Sequence, residues 1–219
     1  MNLKEEIEIK FRGQNLILSA LKAIYWIEQE ALMLSDLHLG KAGHFRKSGI
    51  AIPSTINDGN LFRLDALITR FSPNRILFLG DLFHSDKNME WETFKNWRNK
   101  YTQVEMHLVV GNHDFYSPDD YEELGLICSA EIKSEPFLLV HDETTIGNIS
   151  PLYTVSGHIH PSVRMIGKGR QAKRIPCFYF GESGALLPAF GNLTGTHIVK
   201  PSVNDLVFGV IEEQIIKIS

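Results

Sequence analysis

Three short apolar runs, residues 31–34, 75–79 and 104–110, are each followed within two residues by an aspartate or asparagine at Asp36, Asp81 and Asn112. Runs this short, bounded by glycine or serine, read as strands buried on both faces. Between the first two, Ser54-Thr55 after Pro53 gives a helix start signal, and Ile56, Leu61, Leu64, Ile68 and Phe71 recur at roughly helical spacing until Pro73. A second helix is predicted over residues 91–101. The order strand, helix, strand, helix, strand folds as an α/β sheet, and such sheets build their sites in the loops beyond the strand ends.

The flanks are β-like. Residues 7–11 and 16–18 alternate apolar and polar around Gly13-Gln14, which predicts a hairpin leading into the first buried strand. From Pro136 onward short β runs dominate, at residues 137–140, 153–156, 177–180 and 207–211. No repeat, low-complexity tract or linker divides the 219 residues, so residues 1–219 are expected to form one domain, with 43% hydrophobic content to fill its core.

Charge and cysteine content exclude several classes. A net charge of -4 gives no broad cationic field, so a nucleic-acid partner would have to be held by local basic patches. Cys128 and Cys177 are too few for a disulfide framework and lie far from each other in sequence. The opening residues are acidic rather than apolar and no run approaches a membrane span, so the expectation is a soluble, cytoplasmic protein with no membrane partner.

The chemistry is concentrated where the apolar runs stop. Ser35-Asp36-Leu37-His38 offers a carboxylate and an imidazole two residues apart, which can point the same way from an extended segment. Gly80-Asp81-Leu82-Phe83-His84 offers a carboxylate whose two oxygens can join two cations, and His84 stands near it as a supporting residue. Gly111-Asn112-His113-Asp114 adds a neutral carbonyl ligand, a titratable proton donor and a carboxylate to orient it. Val140-His141 and Gly157-His158-Ile159-His160 complete the set. Each cluster alone is a weak signal, since such polar pairs usually cap turns or face water. Together, so many His and Asp groups at the edge of a core require a shared partner, because unpaired polar groups there are costly.

In this order the clusters resemble the calcineurin-like metallophosphoesterase superfamily. That resemblance implies a four-layer α/β/β/α sandwich of two mixed sheets flanked by helices. It also implies two divalent metal ions, one held by Asp36, His38, Asp81 and His160, the other by Asp81, Asn112, His141 and His158, with His113 as a proton donor beside the leaving group. A narrower similarity, to the bacterial ligase-associated metallophosphoesterases of the PdeM type, rests on residues 35–47, on Gly-Asp-Leu-Phe-His-Ser at 80–85 and on Leu-Leu-Pro-Ala-Phe-Gly at 186–191. It implies nuclease or DNA-end-processing activity in a DNA damage response, and functional association with a DNA ligase and a helicase. The chain departs from that pattern at Asn192-Leu193-Thr194, where the family has Thr-Gly-Gly.

The expected reaction is hydrolysis of a phosphodiester, DNA among the candidates, by a water whose pKa two divalent cations lower toward neutrality. His113 protonates the leaving oxygen and Asp114 fixes its tautomer. His44 and Arg46, in the loop after the first ligands, are the candidate phosphate contacts, Arg46 through its bidentate fork. His, Asp and Asn donors suit manganese, with iron or zinc as alternatives. Phe45 and Phe83 are considered for leaving-group contacts, and Trp26, Trp91 and Trp97 for packing. A second basic stretch, Arg164 to Arg174, reads first as a solvated hairpin and second as a track for a nucleic-acid backbone. Two other functions compete. One is a small-molecule phosphatase or pyrophosphohydrolase; the other is a catalytically weak interaction scaffold, against which the complete ligand set argues.

Overall fold

The computed structural model describes residues 5–41, 55–84, 89–145, 150–166 and 171–219. Its first sheet runs in chain order through seven strands: β1 (Glu6–Phe11), β2 (Gln14–Ser19), β3 (Ala23–Trp26), β4 (Ala31–Leu34), β5 (Arg75–Leu79), β6 (Glu105–Val109) and β7 (Ile127–Ser129). Neighbours from β1 to β4 are antiparallel, because tight turns join them. From β4 to β7 they are parallel. Parallel neighbours need long crossovers, and α1 (Thr55–Phe71) and α2 (Met89–Arg98) supply them, with α3 (Pro118–Glu123) before β7.

The second sheet has nine strands. β8 (Ile132–Ser134), β9 (Phe137–Leu139), β10 (Tyr153–Ser156), β13 (Gly184–Leu186), β12 (Ala172–Phe180), β11 (Pro161–Ile166) and β14 (His197–Ile198) lie side by side in that order. β15 (Leu206–Ile211) and β16 (Gln214–Lys217) join through β12.

Strand alternation sorts side chains into two cores. In β4, Leu32 and Leu34 face the helices, while Ala31 and Met33 face the second sheet. The helix-side core takes Leu61, Leu64, Leu67 and Ile68 from α1 and Trp91, Phe94 and Trp97 from α2. Between the sheets, Leu18, Trp26, Met33 and Leu77 meet Phe137, Val155, Phe178 and Phe208. With apolar groups leaving water on both faces at roughly 25 cal/mol per Å², the central strands are anchored most firmly where they deliver their terminal residues to the edge.

The strands at 31–34 and 75–79 and the helix ending at Phe71 stand where the sequence predicts them, and the second predicted helix continues past Arg98 as a 3-10 turn to Tyr101. Trp26, Trp91 and Trp97 are packing residues, and so is Phe83: only 2% exposed, it stacks among Trp91, Phe94, Tyr116 and Tyr121 and does not reach a leaving group. The charged stretch near residue 164 forms the antiparallel β11–β12 hairpin with Arg164 opposite Arg174, both exposed. Lys168 and Arg170 lie outside the described residues. Both cysteines are free thiols, Cys177 buried and Cys128 partly so. Among the described residues no helix is long and apolar enough to cross a membrane.

Candidate metal centre

The loops after β4, β5, β6, β9 and β10 converge on one edge and are stitched together through their backbones. Asp36 N–H donates to Gly80 O at 3.1 Å, His38 N–H to Asp81 O at 2.9 Å, and Gly157 N–H to His141 O at 3.1 Å. This pairing brings residues more than a hundred positions apart into contact: the His158 N–H donates to the Asp36 carboxylate at 3.1 Å.

Two ligand groups result. Asp36, His38 and His160 present donor atoms within 4.8 Å of one another, as do Asp81, His141 and His158. Asp81 faces both groups, with Oδ2 3.6 Å from His38 Nε2 and Oδ1 3.4 Å from His141 Nε2. Asn112 Oδ1 lies 3.0 Å from His141 Nε2, so it joins the second group. All seven sequence-predicted ligands are therefore brought together.

Which nitrogen each imidazole offers follows from its other partner. His141 Nδ1 sits 2.9 Å from Leu79 O and His160 Nδ1 3.0 Å from Gly195 O; a carbonyl only accepts, so both Nδ1 atoms carry the proton. Their Nε2 lone pairs then point at other electron-pair donors: His141 Nε2 at Asn112 and Asp81 oxygens, and His160 Nε2 at Asp36 Oδ1, 3.2 Å away. The buried Nε2 atoms of His38 and His160 have no hydrogen-bond partner. Lone pairs aimed at one another in a buried site repel unless a cation lies among them, so this donor set fits divalent metal ions. His158 turns its Nδ1 toward His141 at 3.2 Å and its Nε2 toward Asp142 at 3.8 Å.

Ionisation separates the ligand groups: His38 is held neutral, while Asp81 and His160 are both shifted toward holding a proton. Burial, reinforced by Lys41 and neighbouring histidines, pushes His38 down to about 2, leaving a neutral imidazole. Burial also raises Asp81 above the ordinary carboxylate range, against the pull of His141. For His160, burial lowers the pKa but the Asp36 carboxylate, 3.2 Å from Nε2, outweighs it, so the net shift is upward: when no metal ion stands between the two groups, a proton is the positive charge that this nitrogen attracts.

The backbone does not follow the extended path expected for residues 35–38. Asp36 and His38 have φ of 55° and 48°, and Asp81, His158 and His160 have 52°, 62° and 52°. Five of the seven candidate ligands thus occupy the left-handed region, which costs of order 1–3 kcal/mol each and persists only where surrounding structure enforces it. Aspartate and histidine tolerate it better than most residues. Close approach dictates the neighbouring glycine: a Cβ on Gly80, whose φ is 82°, would stand 2.1 Å from His141 Nδ1.

Asp114 requires a correction. Its carboxylate does not reach the His113 ring; it accepts the backbone N–H groups of Asp81 at 2.8 Å, Leu82 at 3.0 Å, Phe83 at 3.3 Å and Gly111 at 2.9 Å, and the Tyr121 hydroxyl at 3.2 Å. The N–H groups of the tight turn that presents Asp81 converge on one buried point, and only a carboxylate there can satisfy them all. Burial raises the Asp114 pKa to about 6 despite these bonds. His113 itself is at the site, its N–H donating to Asp81 Oδ1 at 2.9 Å and its ring centroid 5.4 Å from that of His38 and 4.7 Å from that of His84.

Two neighbours of the site do not stand out in the sequence. Asp142 faces His158, and the signal for it in the sequence is a carboxylate directly after the candidate ligand His141. Phe115 is 70% exposed with its ring 5.9 Å from that of His113, and nothing distinguishes it in sequence from a core phenylalanine. His84 Nδ1 lies 3.2 Å from His38 Nδ1, as a supporting position implies. The candidate phosphate contacts His44 and Arg46, and Phe45 with them, lie outside the described residues.

A family model for calcineurin-like phosphoesterases matches residues 31–174. Among solved structures, the chain is similar to the Pseudomonas putida nuclease MPE, with 31% identity and a TM-score of 0.79 over 94% of this chain and 96% of that one. It also matches Yfce, a phosphoesterase from E. coli, at 14% identity and a TM-score of 0.44, over 83% of this chain and 88% of that one. No curated protein sequence matches.

Proposed function

Because the chain belongs to the calcineurin-like phosphoesterase family and is a metal-dependent phosphoric ester hydrolase, we propose that it works as a dinuclear phosphodiesterase acting on nucleic-acid strands. The observation that carries the dinuclear reading is Asp81, whose two carboxylate oxygens face separate ligand groups at 3.6 and 3.4 Å. On this reading Asp36, His38, Asp81 and His160 hold one ion, and Asp81, Asn112, His141 and His158 the other. Bound there, divalent cations supply Lewis acidity toward phosphoryl oxygens and bring the pKa of water toward neutrality. Imidazole, carboxylate and amide oxygen together suit manganese.

The protein's own groups do the rest. His113, which faces the ligand cluster without belonging to either group of donors, gives a proton to the leaving oxygen. Asp114 holds the turn that presents Asp81, and Lys41, near both Asp36 and Asp81, offsets part of their negative charge. The nucleic-acid substrate is supported by the similarity to a nuclease along nearly the whole chain. DNA-end processing alongside a ligase and a helicase is the setting that the resemblance in residues 35–47 and 186–191 suggests.

The test is a substrate panel with manganese-loaded protein: a chromogenic phosphodiester, the matching monoester, pyrophosphate, and single-stranded DNA. Cleavage of the diester and of DNA at rates well above monoester and pyrophosphate is expected. Preference for the monoester or pyrophosphate would instead assign a small-molecule phosphatase or pyrophosphohydrolase, and inactivity on all four would leave an interaction scaffold.

A further inference from the structure

Among the described residues, two phenylalanine rings stand largely in water, Phe62 and Phe115. Single exposed apolar side chains are ordinary on a protein surface, so exposure alone gives neither ring a task. Their settings differ. Phe62 shares a cleft with Glu6 and Arg70, which pair with each other. Phe115 stands two residues after His113 and ends a row of rings that leads outward from the candidate ligands: His38 is buried, His113 half-buried and Phe115 exposed. The His38 and His113 centroids are 5.4 Å apart and those of His113 and Phe115 5.9 Å, each pair meeting edge to face.

The loop holds Phe115 in that place. Asp114, before it, is fixed by the backbone N–H groups of residues 81–83 and 111. Tyr116, after it, packs with its ring centroid 4.6 Å from that of Trp91 and 5.7 Å from that of Phe83. Ser117 then caps α3, its side chain accepting from the Asp120 N–H. Bringing Phe115 into the aromatic cluster would require the loop to slip by one residue, which would pull Asp114 off the turn it holds. A polar residue would serve the outward position equally well for folding, so a firmly held ring there offers a flat apolar face beside the candidate proton donor.

The surroundings restrict what that face can take. Asp119, four residues on, exposes a carboxylate in the first turn of α3, and Glu122 exposes another. Their field disfavours a phosphate at Phe115 and leaves an uncharged ring acceptable. Within the phosphodiesterase reading, on which this inference rests, His113 faces the leaving oxygen, and the base joined to the departing sugar is the next group outward. We propose that Phe115 is the stacking platform for that base, so that the substrate is a nucleic acid unpaired at the departing nucleotide. Every base has a π-face, so the platform selects for the presence of a base and not for its identity.

A dinucleotide carries one internal phosphodiester, so the base on each side of the cut can be removed separately. With manganese-loaded, full-length protein, kcat/KM is measured on a dithymidine dinucleotide and on its two singly abasic forms, and mass spectrometry of the products shows which nucleoside departs. Phe115→Ala should lose roughly 5- to 100-fold on the intact dinucleotide, the range expected for one base–aromatic stack. Phe115→Leu, apolar but not aromatic, should lose about as much, and Phe115→Trp should recover most of it. Removing the departing base should cost the wild-type protein a similar factor and Phe115→Ala little more, since a contact already lost cannot be lost again. Tm and manganese content should be the same in Phe115→Ala as in the wild type. Equal costs of base removal in the two proteins, coupling only to the base on the retained side, or a fall in Tm or metal content that accounts for the lost rate would each overturn the proposal. So would a wild-type protein that cleaves a chromogenic diester but no dinucleotide, because a base on the platform makes the dinucleotide the better substrate. A protein that cleaves neither overturns the phosphodiesterase reading itself, and the platform falls with it.

Discussion

Asp114 shows how one buried carboxylate can serve a site it does not enter. It collects four backbone N–H groups from the turn that carries Asp81 and from Gly111, so its replacement by alanine leaves several buried donors unmet. At about 1–3 kcal/mol for each orphaned group, Asp114→Ala should destabilise the fold by roughly 3–5 kcal/mol, measured by denaturant titration. Asp114→Asn should weaken metal binding, read by titration with manganese, while the ratio of rates on good and poor leaving groups stays at its original value; a changed ratio would return Asp114 to the role of partner for His113. His113→Ala should do the opposite. Both ions stay bound, turnover of alkyl or nucleotide esters falls by about 10²–10⁴, and aryl esters with good leaving groups lose far less. Equal losses on both, or loss of metal, would assign His113 to another task. The seven candidate ligands were legible because they stand at strand ends in the order that the family resemblance implies, whereas the target of Asp114 was not. Spacing in a Gly-Asn-His-Asp run places Asp114 beside His113, and only the fold shows that the turn at 81–83 takes its oxygens instead.

At the level of elements, β4 and β5 were readable because both faces are buried, which writes an unbroken apolar run into the sequence. β3, β7 and β14 were not, being two to four residues long and held by pairing with strands distant or adjacent in the sheet rather than by a pattern of their own. α3 hides for a different reason. Its six residues depend on a capping box between Ser117 and Asp120, with a single buried side chain, Tyr121. The curl of residues 36 and 38 into the left-handed region was likewise unreadable, since it is imposed by pairing with the loop after β5. That packing can be probed at glycine. Gly80 and Gly13 have nearly the same φ, 82° and 81°, but a Cβ at Gly13 meets nothing within 4 Å while one at Gly80 collides with His141. Gly13→Ala should therefore cost only the conformational strain of about 1–2 kcal/mol, visible as a small drop in Tm. Gly80→Ala should displace His141 as well, so manganese affinity and turnover both collapse. Similar small effects from the two substitutions would mean that the loop after β5 yields more easily than its packing implies.

Across the whole molecule, two sheets and a helical layer hold five strained candidate ligands and a set of opposed lone pairs that the folded protein alone leaves poorly satisfied. Metal ions that bind this arrangement and not the unfolded chain should raise stability by mass action. At 100 times Kd each site contributes about 2.7 kcal/mol, and a protein of this size gains roughly 2–4 °C per kcal/mol, so chelation should lower Tm by about 10 °C or more. On the dinuclear reading, Asp81 joins two metal ions. The most direct measurement is a crystal structure of the manganese-loaded protein with anomalous scattering recorded at the manganese edge. Two peaks are expected about 3.5–4 Å apart, one beside Asp36, His38 and His160, the other beside Asn112, His141 and His158, with a carboxylate oxygen of Asp81 on each. A single peak, or two peaks with Asp81 touching neither, would contradict it.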